Sequence, residues 1–214
     1  MENEDVMCDG EIELSDRAKS LWGKTNRVDD TEWLPLYVHM ADSAAMAVRI
    51  WDTWVPYGTK SIISRDLGND DDLARKLMIF LAGVHDIGKA TPVFQAKPIS
   101  FGPDAESLAW KPEQAGLPMI AGLRDTSHPT HPIAGQVILE RYFSLVHKWG
   151  KRESRQYACV VGGHHGTPPD KSKLESARLG KTESGLDSEV WMTTQNELIE
   201  FIAGTVGIGD EEWK

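Results

Sequence analysis

Only two cysteines occur in the 214 residues, Cys8 in a polar N-terminal stretch and Cys159 in an apolar run. Two thiols so far apart exclude a disulfide-built scaffold and suit a reducing compartment, so a cytoplasmic protein is expected. No stretch approaches the roughly eighteen uninterrupted apolar residues of a membrane-spanning helix, which excludes a transmembrane protein. The first residues, Met-Glu-Asn-Glu-Asp, lack the basic start of a secretory signal. The chain also lacks internal repeats, low-complexity tracts and any serine or cysteine nucleophile motif. No segment alternates apolar and polar residues in a way that predicts a strand. Cations are in the minority. The 23 Lys and Arg face 33 Asp and Glu, a net charge of −10, which alone argues against a nucleic-acid binder.

The distribution of charge changes that argument. Residues 1–16 hold seven acids and no Lys or Arg, which predicts an acidic, mobile tail ahead of one domain over 17–214. Residues 141–181 hold nine Lys and Arg (141, 148, 151, 152, 155, 171, 173, 178 and 181) against three acids. This stretch is either a basic binding face or a solvated helix face with a basic loop.

Apolar residues at three-and-four spacing predict an all-α fold with helices over 36–54, 71–86, 131–149, 153–163 and 188–206. Asp70 to Asp72 suit a helix start. Thr130 and Pro132 suit another, and Gly88 suits a helix stop. The Pro-rich segment 90–130 and the polar run 166–187 read as long loops, of the length that is usually functional in a compact domain. The eight tryptophans are mostly core, and Trp110, in the Pro-rich loop, is the candidate for stacking on a base.

Seven histidines stand at 39, 85, 128, 131, 147, 164 and 165. His39, His85, His131 and His164-His165 each fall near a helix end, and helix ends can converge where bundles build His/carboxylate metal sites. In His85-Asp86 the imidazole offers one nitrogen and the carboxylate two oxygens, a pair that can hold one ion and bridge to a second. A chance pair complementing a helix dipole is the alternative. His128 reads as a loop residue, and His147, beside Lys148, as a solvent-facing cation at a helix C-terminus. Lys89 is either a helix-end cation or a phosphate partner.

The segment Leu81-Ala-Gly-Val-His-Asp-Ile-Gly-Lys-Ala-Thr-Pro-Val-Phe-Gln-Ala-Lys97 resembles the signature of the HD-superfamily metal-dependent phosphohydrolases. Its Lys-Ala-Thr-Pro-x-Phe-Gln tail narrows the likeness to the HD nuclease domain of the CRISPR-associated nuclease-helicase of type I systems. Tyr37-Val-His39, Thr130-His-Pro-Ile-Ala-Gly135 and Val161-Gly-Gly-His-His-Gly166 resemble that family's other histidine motifs, in order. The resemblance covers roughly 20–206 and implies an HD-superfamily helical bundle. It implies that His39, His85 and Asp86 bind a first metal, and that Asp86, His131, His164 and His165 bind a second. Asp86 would bridge the two, and Lys89 would sit near the phosphate, so that Asp86 and Lys89 carry the catalytic roles. The implied substrate is single-stranded DNA displaced by a guide-RNA surveillance complex, with a helicase domain or subunit as partner.

One family feature is missing. The first metal of the family has a further carboxylate in an Asp-Trp context on a late helix. Asp210, Glu211 and Glu212 follow Gly207-Ile208-Gly209 and do not reproduce it. The expectation is a fragment lacking its last helix or helices and the helicase part, the alternative being a substitute ligand such as Asp210 or Glu211. Imidazole-rich ligation favours Mn, Fe, Co, Ni or Zn over Mg, which prefers oxygen. Two other functions fit the same residues: a phosphohydrolase of nucleotides or cyclic dinucleotides, and a non-catalytic, half-assembled HD module serving as an interaction partner.

Overall fold

The computed structural model describes residues 13–26, 32–98, 106–123 and 125–214. Cys8, Pro103 and most of the expected acidic tail lie outside these residues. The end of that tail is already part of the fold. Leu14 is buried, the Ser15 hydroxyl donates to Glu197 at 2.7 Å, and Asp16 opens the first helix, α1 (Asp16–Ser20).

The domain is a helical bundle. After α1 come a hairpin, β1 (Trp22–Thr25) and β2 (Trp33–Pro35), then α2 (Leu36–Thr53), α3 (Tyr57–Asp66) and α4 (Asp71–Gly83). A 3-10 turn, Ile87–Lys89, leads into the short helices α5 (Pro92–Gln95) and α6 (Trp110–Gln114). The second half holds α7 (His131–Leu145), α8 (Lys151–Gly162), α9 (Lys171–Leu179), α10 (Lys181–Ser184) and α11 (Glu189–Val206). No helix among the described residues is long and apolar enough to cross a membrane.

The long helices begin and end where side chains can satisfy the free backbone groups of a helix terminus. Asp70 accepts from the Leu73 N–H at 2.9 Å, and Gly207 closes α11 in the left-handed conformation, φ 72°. Thr130 holds the N-cap position of α7 but makes no side-chain cap bond. The fixed φ of Pro132 in the first turn suits that start instead. The predicted extensions of α4 to 86 and of α7 to 149 do not occur. After Gly83 the chain breaks into the turn that carries His85 and Asp86, and α7 stops before Lys148, whose φ is 61°. The loops expected over 90–130 and 166–187 contain α5, α6, α9 and α10.

The core is centred on α7, which buries ten residues including Ile138, Leu139, Tyr142 and Phe143. It packs against α8, against the 3-10 turn and, through the shared core, against Trp191 and Ile199 of α11. Trp191 is fully buried, and its indole N–H donates to the Pro118 carbonyl at 2.8 Å. That bond satisfies the one polar atom of a large apolar side chain.

The hairpin was not legible as a pair of strands. β1 and β2 are antiparallel, with Trp22 opposite Pro35, Lys24 opposite Leu34 and Thr25 opposite Trp33. The register slips between Trp22 and Lys24, so Gly23 forms a bulge and its carbonyl is free to face inward. Strands this short cannot show a period of two.

Candidate metal centre

Asp86 is 3% exposed and sits where four chain segments meet. Its Oδ2 lies 2.8 Å from His39 Nε2, 3.2 Å from His85 Nε2 and 2.8 Å from Lys89 Nζ. Its Oδ1 lies 3.2 Å from His131 Nε2 and 3.6 Å from His164 Nε2. The carboxylate is thus divided, one oxygen toward each group of imidazoles. Two sets of three donors lie close enough for an ion: His39, His85 and Asp86, and His131, His164 and His165, each set within 4.8 Å. The histidines singled out from sequence therefore come together from α2, the turn after α4, α7 and the turn after α8. His128 does not join them; it contacts Ser127 through Nδ1 at 2.7 Å.

Local structure turns the nitrogens the right way. His85 Nδ1 lies 2.8 Å from the Ala82 carbonyl and His164 Nδ1 lies 2.6 Å from the Val161 carbonyl. Each backbone bond fixes the ring's tautomer and leaves Nε2 pointing at the centre, as metal-bound histidines require. Nε2 of His164 is buried with no hydrogen-bond partner, being beyond hydrogen-bond distance of Asp86. An orphaned lone-pair donor beside a carboxylate and two further imidazoles fits a divalent ion.

The charge states suit the same role. Burial alone would push the Asp86 carboxyl up. Hydrogen bonds from His131, His39 and His85, with the Lys89 charge, outweigh it and hold the group far below the usual carboxylate range. Burial lowers both His131 and His164 from the ordinary histidine value. They are therefore neutral near pH 7, with lone pairs available. Burial also lowers Lys89, against the attraction of Asp86.

The motif that follows His85-Asp86 is built to hold this cluster. Lys89 Nζ donates to the bulged Gly23 carbonyl at 2.7 Å as well as to Asp86, so the hairpin clamps the lysine. Thr91 caps α5 by accepting from the Phe94 N–H at 3.3 Å, and Pro92 occupies the first turn. The Phe94 ring lies 5.8 Å from His131, edge to face. Gln95 is fully buried. Its amide nitrogen donates to the Trp22 and Lys89 carbonyls, and its oxygen accepts from the Trp22 N–H. At Gly88 an added Cβ would lie 1.9 Å from the His131 carbonyl, so only glycine lets the turn approach α7 closely enough to share Asp86.

Several expectations require correction. His147 is not a solvent-facing cation. Its ring stacks on Trp213 at 4.7 Å and meets Tyr142 at 5.0 Å. Its Nε2 is buried without a partner, and burial lowers its pKa. Some cations of the basic stretch 141–181 are engaged within the fold. Arg141 turns inward to Asn196, and burial pushes its guanidinium down to about 10. Arg178 pairs with Glu140, Lys171 with Glu175 and Lys173 with Asp170. Asp210 and Glu211 do not join the His39 group. Asp210 acts on Tyr142, His147 and Glu200, and Glu211 pairs with Lys214. Sequence reading missed Asp42, which lines a shallow cleft with His39 and His85. Its position one turn along α2 from His39 was the available signal.

Comparison with known proteins is consistent with this geometry. The family model described as "Cas3, HD domain" matches residues 22–214. A CRISPR-associated nuclease/helicase Cas3 of Streptococcus thermophilus is 36% identical over 154 residues, covering 69% of this chain and 16% of that protein. A solved CRISPR-associated protein superposes with a TM-score of 0.76 at 30% identity over 89% of this chain and 20% of its own. The HD domain of Thermus thermophilus Cas3, solved in the presence of Ni2+, superposes with a TM-score of 0.60 at 24% identity over 91% of this chain and 67% of its own. The chain spans about a sixth of the length of the Streptococcus relative. With its model matched over nearly all the described residues, the chain belongs to the Cas3 HD-domain family.

Proposed function

We propose that this domain is a metal-dependent nuclease that hydrolyses phosphodiester bonds of single-stranded DNA in CRISPR defence. Its partners in this reading are a helicase domain or subunit and a guide-RNA surveillance complex. The observation that carries the reading is the divided carboxylate of Asp86, with His39 and His85 at one oxygen and His131 and His164 at the other. His39, His85 and Asp86 would hold one ion, and Asp86, His131, His164 and His165 the other. Divalent ions held by these residues would supply charge relief on the phosphate oxygens and an activated water as nucleophile.

The chain's own groups do the rest. Asp86 stays ionised, so both of its oxygens accept. His131 and His164 stay neutral and give lone pairs, and the Ala82 and Val161 carbonyls hold two of the rings in register. Lys89 spends two N–H donors on Asp86 and Gly23 and keeps a third, the one we assign to a phosphate oxygen. The donor set of five imidazoles and one carboxylate favours Mn, Fe, Co, Ni or Zn, in keeping with the Ni2+ of the Thermus structure.

The test compares single-stranded DNA, deoxynucleoside monophosphates and cyclic dinucleotides as substrates for chelator-stripped protein resupplied with Mn or Ni. Cleavage of DNA alone is expected. Turnover of the small phosphates in preference to DNA would replace the nuclease reading. A second reading, a half-assembled module without catalysis, draws on the His39 group, which has only three donors among the described residues. One bound ion or none per chain would favour it; two would exclude it.

A further inference from the structure

The aromatic cluster beside the metal centre continues outward. Phe94, edge-on to His131, lies 4.6 Å from Trp22. These two pack with Leu108 and with the half-buried Trp33 of β2. Lys111 of α6 sits between two indoles, its Nζ 4.3 Å from the centre of the Trp33 ring and 4.6 Å from that of Trp110. Trp110 is 49% exposed. On the inner side, Lys97 Nζ lies 4.9 Å over the Phe94 ring, whose other cationic neighbour is Lys89. Lys24 is exposed on β1, beside Trp33 in a surface depression that also holds Glu32.

Here cations and aromatic faces occur together. Among the described residues the ion-paired lysines are Lys76, Lys89, Lys171, Lys173 and Lys214. Lys24, Lys97 and Lys111 are outside that set. Lys97 is half-buried near Lys89, so burial and a like charge both disfavour its ammonium. Cations outside the ion pairs of the described residues suit a polyanion. Aromatic faces interleaved with them suit unpaired bases, which stack on any π-face regardless of sequence. A duplex keeps its bases stacked on each other and has none to offer.

Resting on the nuclease reading, we propose that Trp110, Lys111 and Trp33 form a track that receives the bases and phosphates of single-stranded DNA, and that Lys97, held over the buried Phe94 ring, passes the strand to the His131 side of the metal centre. Trp110 is the outer stacking platform. Lys111, held between the indoles, is preorganised to meet a phosphate without first ordering its own side chain.

The experiment measures binding of a short fluorescein-labelled oligo(dT) by anisotropy across a salt series, in chelator so that nothing is cut. Trp110→Ala is expected to weaken binding about 5- to 100-fold, as loss of one stacked base does, and Trp110→Phe to restore most of it. Lys111→Ala is expected to flatten the salt slope by about one counterion. Trp54→Ala, at an exposed tryptophan just past the end of α2, should bind like wild type. Hydrolysis of bis(p-nitrophenyl) phosphate with added Mn, a diester too small to reach the track, should be equal in all four variants. Wild-type affinity in both Trp110→Ala and Lys111→Ala, or no binding by wild type at low salt, overturns the track. Wild-type protein that binds oligo(dT) through Trp110 but hydrolyses neither DNA nor the small diester would overturn the nuclease reading and leave the track standing.

Discussion

Gly88→Ala adds one methyl group at a residue that offers no side chain to a metal. Its Cβ would lie 1.9 Å from the His131 carbonyl and 2.5 Å from the Gly135 nitrogen, where real Cβ contacts keep 3.0 Å or more. Both neighbours are backbone, so no rotamer change relieves the clash, and the first turn of α7 must retreat by at least about 1 Å to restore ordinary contact. His131 Nε2 is 3.2 Å from Asp86 Oδ1, and metal–ligand distances are held to about 0.2 Å. The retreat exceeds that tolerance several-fold. Overpacking costs about 1–3 kcal/mol, and each kcal/mol lowers Tm by about 2–4 °C in a chain of this size. The expected variant is still helical, melts about 2–12 °C lower, and loses the ion of the His131, His164 and His165 group before that of the His39 group. Metal per chain after dialysis, thermal unfolding by circular dichroism and oligonucleotide cleavage read the three effects. Gly58→Ala is the control, because a Cβ there meets nothing within 4 Å, and its metal content should match wild type. Gly88→Ala with two bound ions and an unchanged Tm would refute the close-approach reasoning.

Asp86→Asn should abolish metal binding and also destabilise the apo protein by about 3–5 kcal/mol, because it strips the counter-charge from buried Lys89. Adding Lys89→Met should recover most of that stability in urea unfolding but none of the metal. His164→Ala should lose more bound metal in calorimetric titration than His39→Ala, since His164 serves the group with three imidazoles; equal losses would show the two groups to be equivalent. His147 is depressed by burial, so the unfolded chain takes up its proton first as pH falls. Stability present at neutral pH is therefore lost on passing below the ordinary histidine value of about 6.5. His131 and His164 act in the same direction, so in metal-free protein His147→Phe should reduce the acid-side fall in Tm without removing it, and an unaltered profile would contradict the burial of that ring.

The centre was legible in the sequence because its residues cluster locally as His85-Asp86 and His164-His165 at breaks between apolar-periodic helices. The helical fold was legible for the reason that α2, α4, α7, α8 and α11 are long enough to show their period. The hairpin was not, because its pairing depends on a bulge at Gly23 and on Gln95, whose amide reaches β1 from a distant helix. The fate of the cations was also hidden. Composition counts Arg141, Lys171 and Lys173 as a basic stretch, but only folding shows Arg141 turned inward and the lysines answered by Glu175 and Asp170. Lys111 is a single cation in a Pro-rich segment, and nothing in its neighbours in sequence announces the two indoles around it. Trp110 stood out by its place in a loop, whereas Trp33, which completes the clasp, lies in a strand that sequence periodicity did not reveal.

The meeting of four segments at Asp86 has a consequence for how the domain is made. His39 and His165 are 126 residues apart in the chain, and the Lys89 clamp needs the hairpin closed as well. Contacts so distant in sequence form late, after the loop entropy between them has been overcome. A nascent chain that has not yet reached α8, or one frayed at α2 or α8, lacks one or two of the six ligands. The proposed chemistry would therefore depend on contacts spread across the whole bundle and not on any one segment of it.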